Sequence, residues 1–107
     1  MRTLQYKFPA SREPVRRAHV GVVASGDLEI LLEPSDSAGQ AQVRVRSSVQ
    51  GFDEIWQATL ERFFARTPVA GNWELNDSGA TPAVVTLRLQ QAAGAAGAIG
   101  SATGEDA

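Results

Sequence analysis

Hydrophobic and polar residues alternate along most of the first half of the chain, a spacing typical of β-strands with one buried face. We predict four strands from this pattern, at residues 4–8, 18–23, 27–33 and 40–46. In the last of these, Ala41, Val43 and Val45 would face a core while their polar neighbours face solvent. Such alternation is typical of an antiparallel sheet with one solvent-exposed face.

The second half of the chain changes to the spacing of an amphipathic helix. In residues 52–66, large apolar side chains recur every three or four positions, and acidic side chains occupy much of the remaining surface. The apolar positions are Ile55, Trp56, Leu60, Phe63 and Phe64. Thr67 and Pro68 would end the helix. We therefore predict a helix here that packs on the sheet.

Residues 81–91 fit either a strand or a helix. Alternating apolar residues in this segment suit a strand, whereas Thr81 and Pro82 are residue types that begin helices. We favour the helix, which would follow a short strand at residues 73–75. This order of elements predicts a small two-layer α+β domain, in which an antiparallel β-sheet carries two helices packed on one face.

The last sixteen residues differ in composition from the rest of the chain. Residues 92–107 include seven alanines and four glycines. Such small side chains bury little apolar surface to offset the backbone entropy that is lost on ordering. We predict that they form a disordered tail, and that residues 1–91 form a single domain, as expected for a chain of this length.

The residue types that carry most catalytic chemistry are scarce in this chain. Among 107 residues there is no cysteine, and there is one histidine, His19. A disulfide framework, a thiolate metal site, a cysteine nucleophile and a multi-histidine metal site are therefore excluded. We predict that the chain binds no metal and has no catalytic residue of its own, so that it is not an enzyme.

Charge and hydropathy disfavour two further classes of partner. The formal net charge is −2, and no basic stripe interleaved with aromatic residues is present, which disfavours nucleic-acid binding. No apolar run approaches the roughly 20 residues that span a bilayer, and the basic N-terminus lacks the continuous apolar segment of a secretory signal. We therefore expect a cytoplasmic protein that binds neither nucleic acid nor membrane.

The connection between the second and third predicted strands contains Ser25, Gly26 and Asp27. At the tip of a hairpin the hydroxyl of Ser25 would be exposed, and Gly26 removes side-chain bulk beside it and permits a positive φ. Asp27 could accept a hydrogen bond from that hydroxyl or from a backbone amide of the turn. These residues fit both an ordinary turn and a covalent attachment point, and their pattern alone favours the ordinary turn.

The segment around Ser25 resembles a known family. Residues 21–34, with the sequence GVVASGDLEILLEP, are similar to a motif of the acyl carrier (delta) subunits of biotin-independent malonate decarboxylase. Further similarity lies in three short segments, residues 47–49, 79–82 and 87–89. The resemblance covers most of residues 4–91. Ala24 stands where the family usually has glycine, a change that leaves Ser25 intact.

The resemblance implies a carrier function with a covalent cofactor. In this family, and in the related acyl carrier gamma chain of citrate lyase, a phosphoribosyl-dephospho-coenzyme A group, 2'-(5''-phosphoribosyl)-3'-dephospho-CoA, is joined to a serine through a phosphodiester bond. That serine corresponds to Ser25, which would anchor acetyl and malonyl thioesters rather than act as a catalytic nucleophile. The implied partners are an acyl transferase subunit, carboxyltransferase-like decarboxylase subunits and a prosthetic-group transferase.

Two other functions are compatible with the residues. The chain could be an unmodified protein–protein interaction module that docks its helical or sheet face on a partner, or it could be the acyl carrier subunit of citrate lyase. Arg44 and Arg46, on the solvent side of their predicted strand, could meet phosphates or an acidic partner. A solvated sheet face is the simpler interpretation of these two arginines.

Overall fold

The computed structural model describes residues 2–98, which form a five-stranded β-sheet with two helices packed on one of its faces. In chain order the elements are β1 (Arg2–Pro9), β2 (Ala18–Val20), β3 (Leu28–Glu33), β4 (Gln40–Ser47), α1 (Asp53–Arg66), β5 (Gly71–Asp77) and α2 (Pro82–Ala95). The strands are arranged in the order β1-β4-β5-β3-β2. The prediction of a two-layer α+β domain is confirmed.

One pair of neighbouring strands is parallel, so the sheet is mixed rather than wholly antiparallel as predicted. β1 with β4, β3 with β5 and β2 with β3 are antiparallel, whereas β4 and β5 are parallel, with Val43 beside Trp73. The helix α1 connects β4 to β5 and returns the chain to the edge where β4 began, which a parallel pair requires. Hydrophobic and polar residues alternate in the same way in parallel and antiparallel strands. The sequence pattern therefore could not show that β4 and β5 are parallel.

Alternate residues of the strands face the helices and form the hydrophobic core. On the three central strands the buried apolar residues are Leu28, Ile30, Leu32, Ala41, Val43, Val45, Trp73 and Leu75. The polar residues between them lie on the opposite face of the sheet, which is open to solvent. Because burial of one large apolar side chain stabilises a protein by roughly 1.5–3 kcal/mol, the covered face dominates the stability of the fold.

The helix α1 packs on the sheet mainly through aromatic side chains. Its buried apolar residues are Trp56, Leu60, Phe63 and Phe64, as predicted. Phe63 and Phe64 contact Trp73 of β5 edge to face, with ring centroids 5.8 and 5.2 Å apart. Ile55, which was predicted to share this side, is 46% exposed. It lies about 100° around the helix axis from Trp56 and so falls at the edge of the buried stripe.

Residues 82–91 form the first part of α2 and Thr81 caps its N-terminus, which confirms the preference for a helix there. The Thr81 hydroxyl accepts a hydrogen bond from the Val84 amide at 3.3 Å, and Pro82 occupies the first turn. Both features stabilise the start of a helix more than they would a strand. Of the helices in residues 2–98, neither α1 nor α2, with 14 residues each, is long and apolar enough to cross a bilayer.

The prediction of a disordered tail beginning at residue 92 is wrong for residues 92–98. The helix α2 continues to Ala95, and three further alanines are buried, Ala92, Ala93 and Ala96. The backbone amide of Val15 donates a hydrogen bond to the Ala96 carbonyl at 3.0 Å. Alanine is the strongest helix former, and its small side chain lets a helix approach a sheet closely. Residues 99–107 of the predicted tail lie outside the described residues.

Candidate functional site

Ser25 lies in the connection between β2 and β3, and we refer to residues 21–27 as the Ser25 loop. The strand β2 ends at Val20, earlier than the valine-rich sequence predicted. Gly21 has φ +75°, and a Cβ placed on it would lie 1.9 Å from the carbonyl oxygen of Leu28. No side chain fits there, so this glycine turns the chain out of the strand and closes the base of the loop.

Ser25 is exposed at the tip of the loop, as the hairpin prediction required. The backbone folds back around it, because the Ala24 amide donates to the Val22 carbonyl at 3.1 Å and the Asp27 amide donates to the Ala24 carbonyl at 2.9 Å. Gly26 follows with φ +79°, and apart from Gly26 and its two chain neighbours no residue has an atom within 4 Å of a Cβ placed on it. The serine is therefore accessible, with open space on its C-terminal side.

The side chain of Asp27 ties the Ser25 loop to α2. Its two carboxylate oxygens accept hydrogen bonds from Nε and Nη2 of Arg88, at 2.9 and 3.0 Å, and Oδ1 also accepts from the Leu28 amide at 2.7 Å. A two-point pair of this kind fixes orientation as well as distance. The side chains of Arg88 and Asp27 are 26% and 18% exposed. We call this pair the Asp27–Arg88 clamp.

The Asp27–Arg88 clamp holds the carboxylate in its ionised form. The hydrogen bond from Arg88 is the largest cause that lowers the pKa of Asp27, followed by the hydrogen bond from the Leu28 amide. Both favour the charged carboxylate. Arg88 is itself held by Gln91, whose Oε1 accepts from Nη1 at 2.8 Å. Asp27 was considered as an acceptor for the Ser25 hydroxyl or for a turn amide; the backbone amide that it accepts from is that of Leu28, the first residue of β3.

The segment after β5 also holds the Ser25 loop. The Gly26 amide donates to the Ser78 carbonyl at 2.7 Å, and the Ser78 amide donates to the Asp27 carbonyl at 3.0 Å. The neighbouring side chain of Asp77 is buried and accepts a hydrogen bond from the Ser47 hydroxyl of β4 at 2.8 Å. The β5–α2 connection and α2 therefore hold the loop directly, and the hydrogen bond from β4 to Asp77 stabilises the end of β5 beside Ser78.

Sequence reasoning did not identify Arg88 and Ser78 as neighbours of Ser25. Arg88 is 61 positions from the aspartate that it binds, and no periodicity links the two. One signal was present, because residues 79–82 and 87–89 belong to the short segments that carry the family resemblance. These segments contain or adjoin the residues that contact the Ser25 loop.

The other candidate residues lie outside the Ser25 loop. His19 is exposed on β2, with Nε2 2.8 Å from Oε2 of Glu29, and so belongs to a surface pair. Arg44 forms an ion pair with Glu74 on the open face of the sheet, and Arg46 lies two positions further along the same strand. Among residues 2–98, no group of three or more histidine or carboxylate side chains is arranged to hold a metal ion.

Comparison with known sequences identifies relatives over most of the chain. The model of the malonate decarboxylase delta subunit (MdcD) family matches residues 15–96. The malonate decarboxylase acyl carrier protein of Pseudomonas fluorescens (strain SBW25) is 50% identical over 92 residues, which are 85% of this chain and 92% of the relative. The protein of the same name from Azotobacter vinelandii is 50% identical over 93 residues, 86% of this chain and 93% of the relative.

A solved structure shares the fold. One chain in the crystal structure of a Pseudomonas malonate decarboxylase hetero-tetramer in complex with malonate is similar to this chain with a TM-score of 0.84 and 45% sequence identity. The similarity covers 90% of this chain and 99% of that chain. Sequence and structure agree, and the chain therefore belongs to the family of malonate decarboxylase delta subunits, the acyl carrier proteins of that enzyme.

Proposed function

We propose that this chain is the acyl carrier subunit of a biotin-independent malonate decarboxylase and that its prosthetic group is attached at Ser25. The observation that carries this proposal is an exposed serine whose loop is held, directly after the serine, by the Asp27–Arg88 clamp and by the backbone of Ser78. An attachment point needs a hydroxyl that a modifying enzyme can reach, on a backbone held in one position. Family membership supports the same function.

The surroundings of Ser25 fit a large substituent such as phosphoribosyl-dephospho-coenzyme A. The residues on either side, Ala24 and Gly26, are exposed, and no residue beyond the chain neighbours of Gly26 lies within 4 Å of a Cβ placed on Gly26. A substituent on the serine oxygen would therefore leave the domain directly into solvent. The loop beneath the substituent stays in place. The prosthetic group can therefore rotate about its own bonds, as a flexible arm, while its attachment point on Ser25 does not move.

Attachment is a phosphoryl transfer to the hydroxyl of Ser25. A bond forms between the Oγ atom and a phosphorus atom of an activated phosphoribosyl-dephospho-coenzyme A donor, while the bond from that phosphorus to a phosphate leaving group breaks. The hydroxyl proton passes to a base. Asp27, the titratable side chain of the Ser25 loop, is engaged by Arg88 with a lowered pKa, so we assign the base to the prosthetic-group transferase.

During turnover the chain acts as a carrier and not as an enzyme. When bound, the group supplies a thiol that holds acetyl and malonyl as thioesters. Ser25 anchors the group, and the Ser25 loop sets the point from which the arm reaches the active sites of other subunits. Tethering raises the effective concentration of a carried group, to about the millimolar range for a short flexible linker.

This function requires partner proteins that use the carried group. We propose three classes: an acyl transferase subunit, carboxyltransferase-like decarboxylase subunits, and the prosthetic-group transferase that loads Ser25. The first two belong to the working enzyme, and the third acts once, before assembly or turnover. The solved structure similar to this chain is that of a hetero-tetramer, which supports assembly with other subunits.

Intact-protein mass spectrometry tests this proposal. The chain is produced together with the loading enzymes and decarboxylase subunits, and we expect a mass increase equal to one phosphoribosyl-dephospho-coenzyme A group, on the peptide that contains Ser25. Ser25→Ala should abolish the increase completely. Ser37→Ala, which changes an exposed serine in the β3–β4 connection, should leave it unchanged.

Two outcomes would contradict the proposal. A wild-type chain that keeps its unmodified mass in the presence of active loading enzymes is an unmodified interaction module. A mass increase that persists in Ser25→Ala places the attachment at another residue.

A further inference from the structure

Large apolar side chains are exposed beside Ser25. The exposed large hydrophobic residues in residues 2–98 are Val15, Val22, Val23, Phe52, Ile55 and Leu87. Val22 and Val23 are the most exposed of these, at 56% and 64%, and both belong to the Ser25 loop. They lie three and two positions before the serine, where the sequence predicted the end of a buried strand.

The exposure of these valines follows from how the loop is built. Because Gly21 ends the strand with φ +75° and packs against the Leu28 carbonyl, the next two residues leave the sheet instead of continuing β2. The Val22 carbonyl then accepts the hydrogen bond from Ala24. The valine side chains are thus presented to solvent on a backbone that is already folded, so little conformational entropy would be lost on binding.

The charged groups that contact the loop or lie next to it are paired within the chain. Asp27 is bound by Arg88, and Glu29 accepts a hydrogen bond from Asn76 at 3.0 Å and is paired with His19. Paired charges offer little attraction to a partner. The surface beside Ser25 that is available to a partner is therefore mainly apolar, and Val22 and Val23 supply it.

We propose that Val22 and Val23 form the docking element through which the enzyme that loads Ser25 binds the chain, by means of an apolar pocket on that enzyme. This inference rests on the proposed function, because it takes Ser25 as the site of attachment. An enzyme that acts on the serine oxygen must bring its active site within bonding distance. Residues two and three positions away lie within about 11 Å along the chain, inside the area that a specific protein interface covers.

The test measures loading kinetics for the double variant Val22→Ser/Val23→Ser. Purified unmodified chain is incubated with the prosthetic-group transferase and its activated donor, and the initial rate of mass increase is followed against the concentration of chain. Removing two valine side chains that would be buried in the complex should raise KM for the chain roughly ten-fold or more while kcat stays within about two-fold. Val22→Ile/Val23→Ile, which keeps the apolar surface, should retain the wild-type KM.

Val15→Ser provides the matched control, because Val15 is 49% exposed and lies outside the Ser25 loop. Its KM should equal that of the wild type, and all variants should keep the wild-type melting temperature. An unchanged KM in the double serine variant, an equal rise in Val15→Ser, or a rise in KM accompanied by a fall of the melting temperature would overturn the inference. Failure of the wild-type chain to be loaded would instead overturn the proposed function, so the two failures are distinguishable.

Discussion

Two connections of the sheet carry exposed serines, and they differ in how the fold holds them. The Ser25 loop joins β2 to β3, and residues 34–39, which we call the Ser37 turn, join β3 to β4. Each contains a glycine with positive φ, Gly26 at +79° and Gly39 at +81°, and each glycine has open space where a side chain would be. By local sequence the two connections are alike, since each combines serine, glycine and aspartate.

The contacts of the two connections are of different kinds. Within the Ser37 turn, the Ser37 amide donates to the Ser35 hydroxyl at 3.0 Å. Residues that follow β1 contact the turn at its last residue, Gly39: its carbonyl accepts from the Ala10 amide at 2.9 Å, and its amide donates to Oε2 of Glu13 at 3.4 Å. The Ser25 loop is held directly after the serine, at Gly26 and Asp27, by a side chain of α2 and by the backbone after β5. An exposed serine in a turn becomes a candidate attachment site when distant segments hold the residues directly beside it.

Among the substitutions that distinguish the Ser25 loop from the Ser37 turn, Gly21→Ala is expected to have the largest effect on stability. The added Cβ would overlap the Leu28 carbonyl at a backbone conformation that alanine disfavours, so the free energy of unfolding should fall by roughly 2–5 kcal/mol. Gly39→Ala adds a Cβ in open space and should cost only about 1–2 kcal/mol. Urea denaturation measures both values. Equal losses would show that the base of the Ser25 loop is no more tightly packed than the Ser37 turn.

A smaller effect is expected from breaking the Asp27–Arg88 clamp. Arg88→Met keeps the length of the side chain but removes its hydrogen bonds to the loop, so the Ser25 loop should open more often and the rate of loading should fall roughly ten-fold. Arg88→Lys keeps the charge but not the two-point geometry and should give an intermediate rate.

Hydrogen exchange locates the effect of Arg88→Met within the chain. The amides of Gly26 and Asp27 should exchange faster, and those of the Ser37 turn should not change. Arg44→Met removes an ion pair on the open sheet face and serves as the control, with no expected effect on loading. Unaltered exchange in Arg88→Met would mean that the backbone bonds to Ser78 hold the loop without the clamp.

The smallest effect is a pH dependence of the Ser25 loop. Because the pKa of Asp27 in the folded chain is lowered below its usual value of about 3.9, its ionised form stabilises the fold above that value. This contribution is lost as the pH falls through the lowered pKa, so the loop should stay in place from neutral pH down to about pH 4 and loosen in stronger acid.

A carboxyl NMR titration measures the pKa of Asp27 directly. The largest cause of the lowered pKa is the Arg88 hydrogen bond, so Arg88→Met should move it upward and shift the loosening of the loop to higher pH. A midpoint that does not move in Arg88→Met would assign the lowered pKa to the Leu28 amide instead.

Much of the fold was predictable because its signals are local. The alternation of Leu28, Ile30 and Leu32 depends on the two-residue period of a strand, and the aromatic stripe of α1 depends on the helical repeat. The start of α2 was visible in two adjacent residues, Thr81 and Pro82. The pattern was misleading at Val22 and Val23, where one glycine ends the strand and exposes residues whose composition suits a core.

The candidate site was predictable only in part. Ser25, Gly26 and Asp27 were recognisable as an exposed turn because turn chemistry depends on neighbouring residues. Its partners were not, since Arg88 and Ser78 reach the loop only after α1, β5 and α2 have packed. The family resemblance included residues 79–82 and 87–89, which adjoin Ser78 and contain Arg88, but it did not show that these residues contact the Ser25 loop.

The sequence by itself determined the type of most elements, the side of each strand that is buried and the accessibility of Ser25, because these depend on residues within a few positions of one another. Tertiary structure alone decided the parallel pairing of β4 with β5, the burial of the alanines at the end of α2 and the Asp27–Arg88 clamp. Each of these depends on contacts between residues that are far apart in the chain. Such contacts stabilise the protein only after the sheet and the helices have packed together.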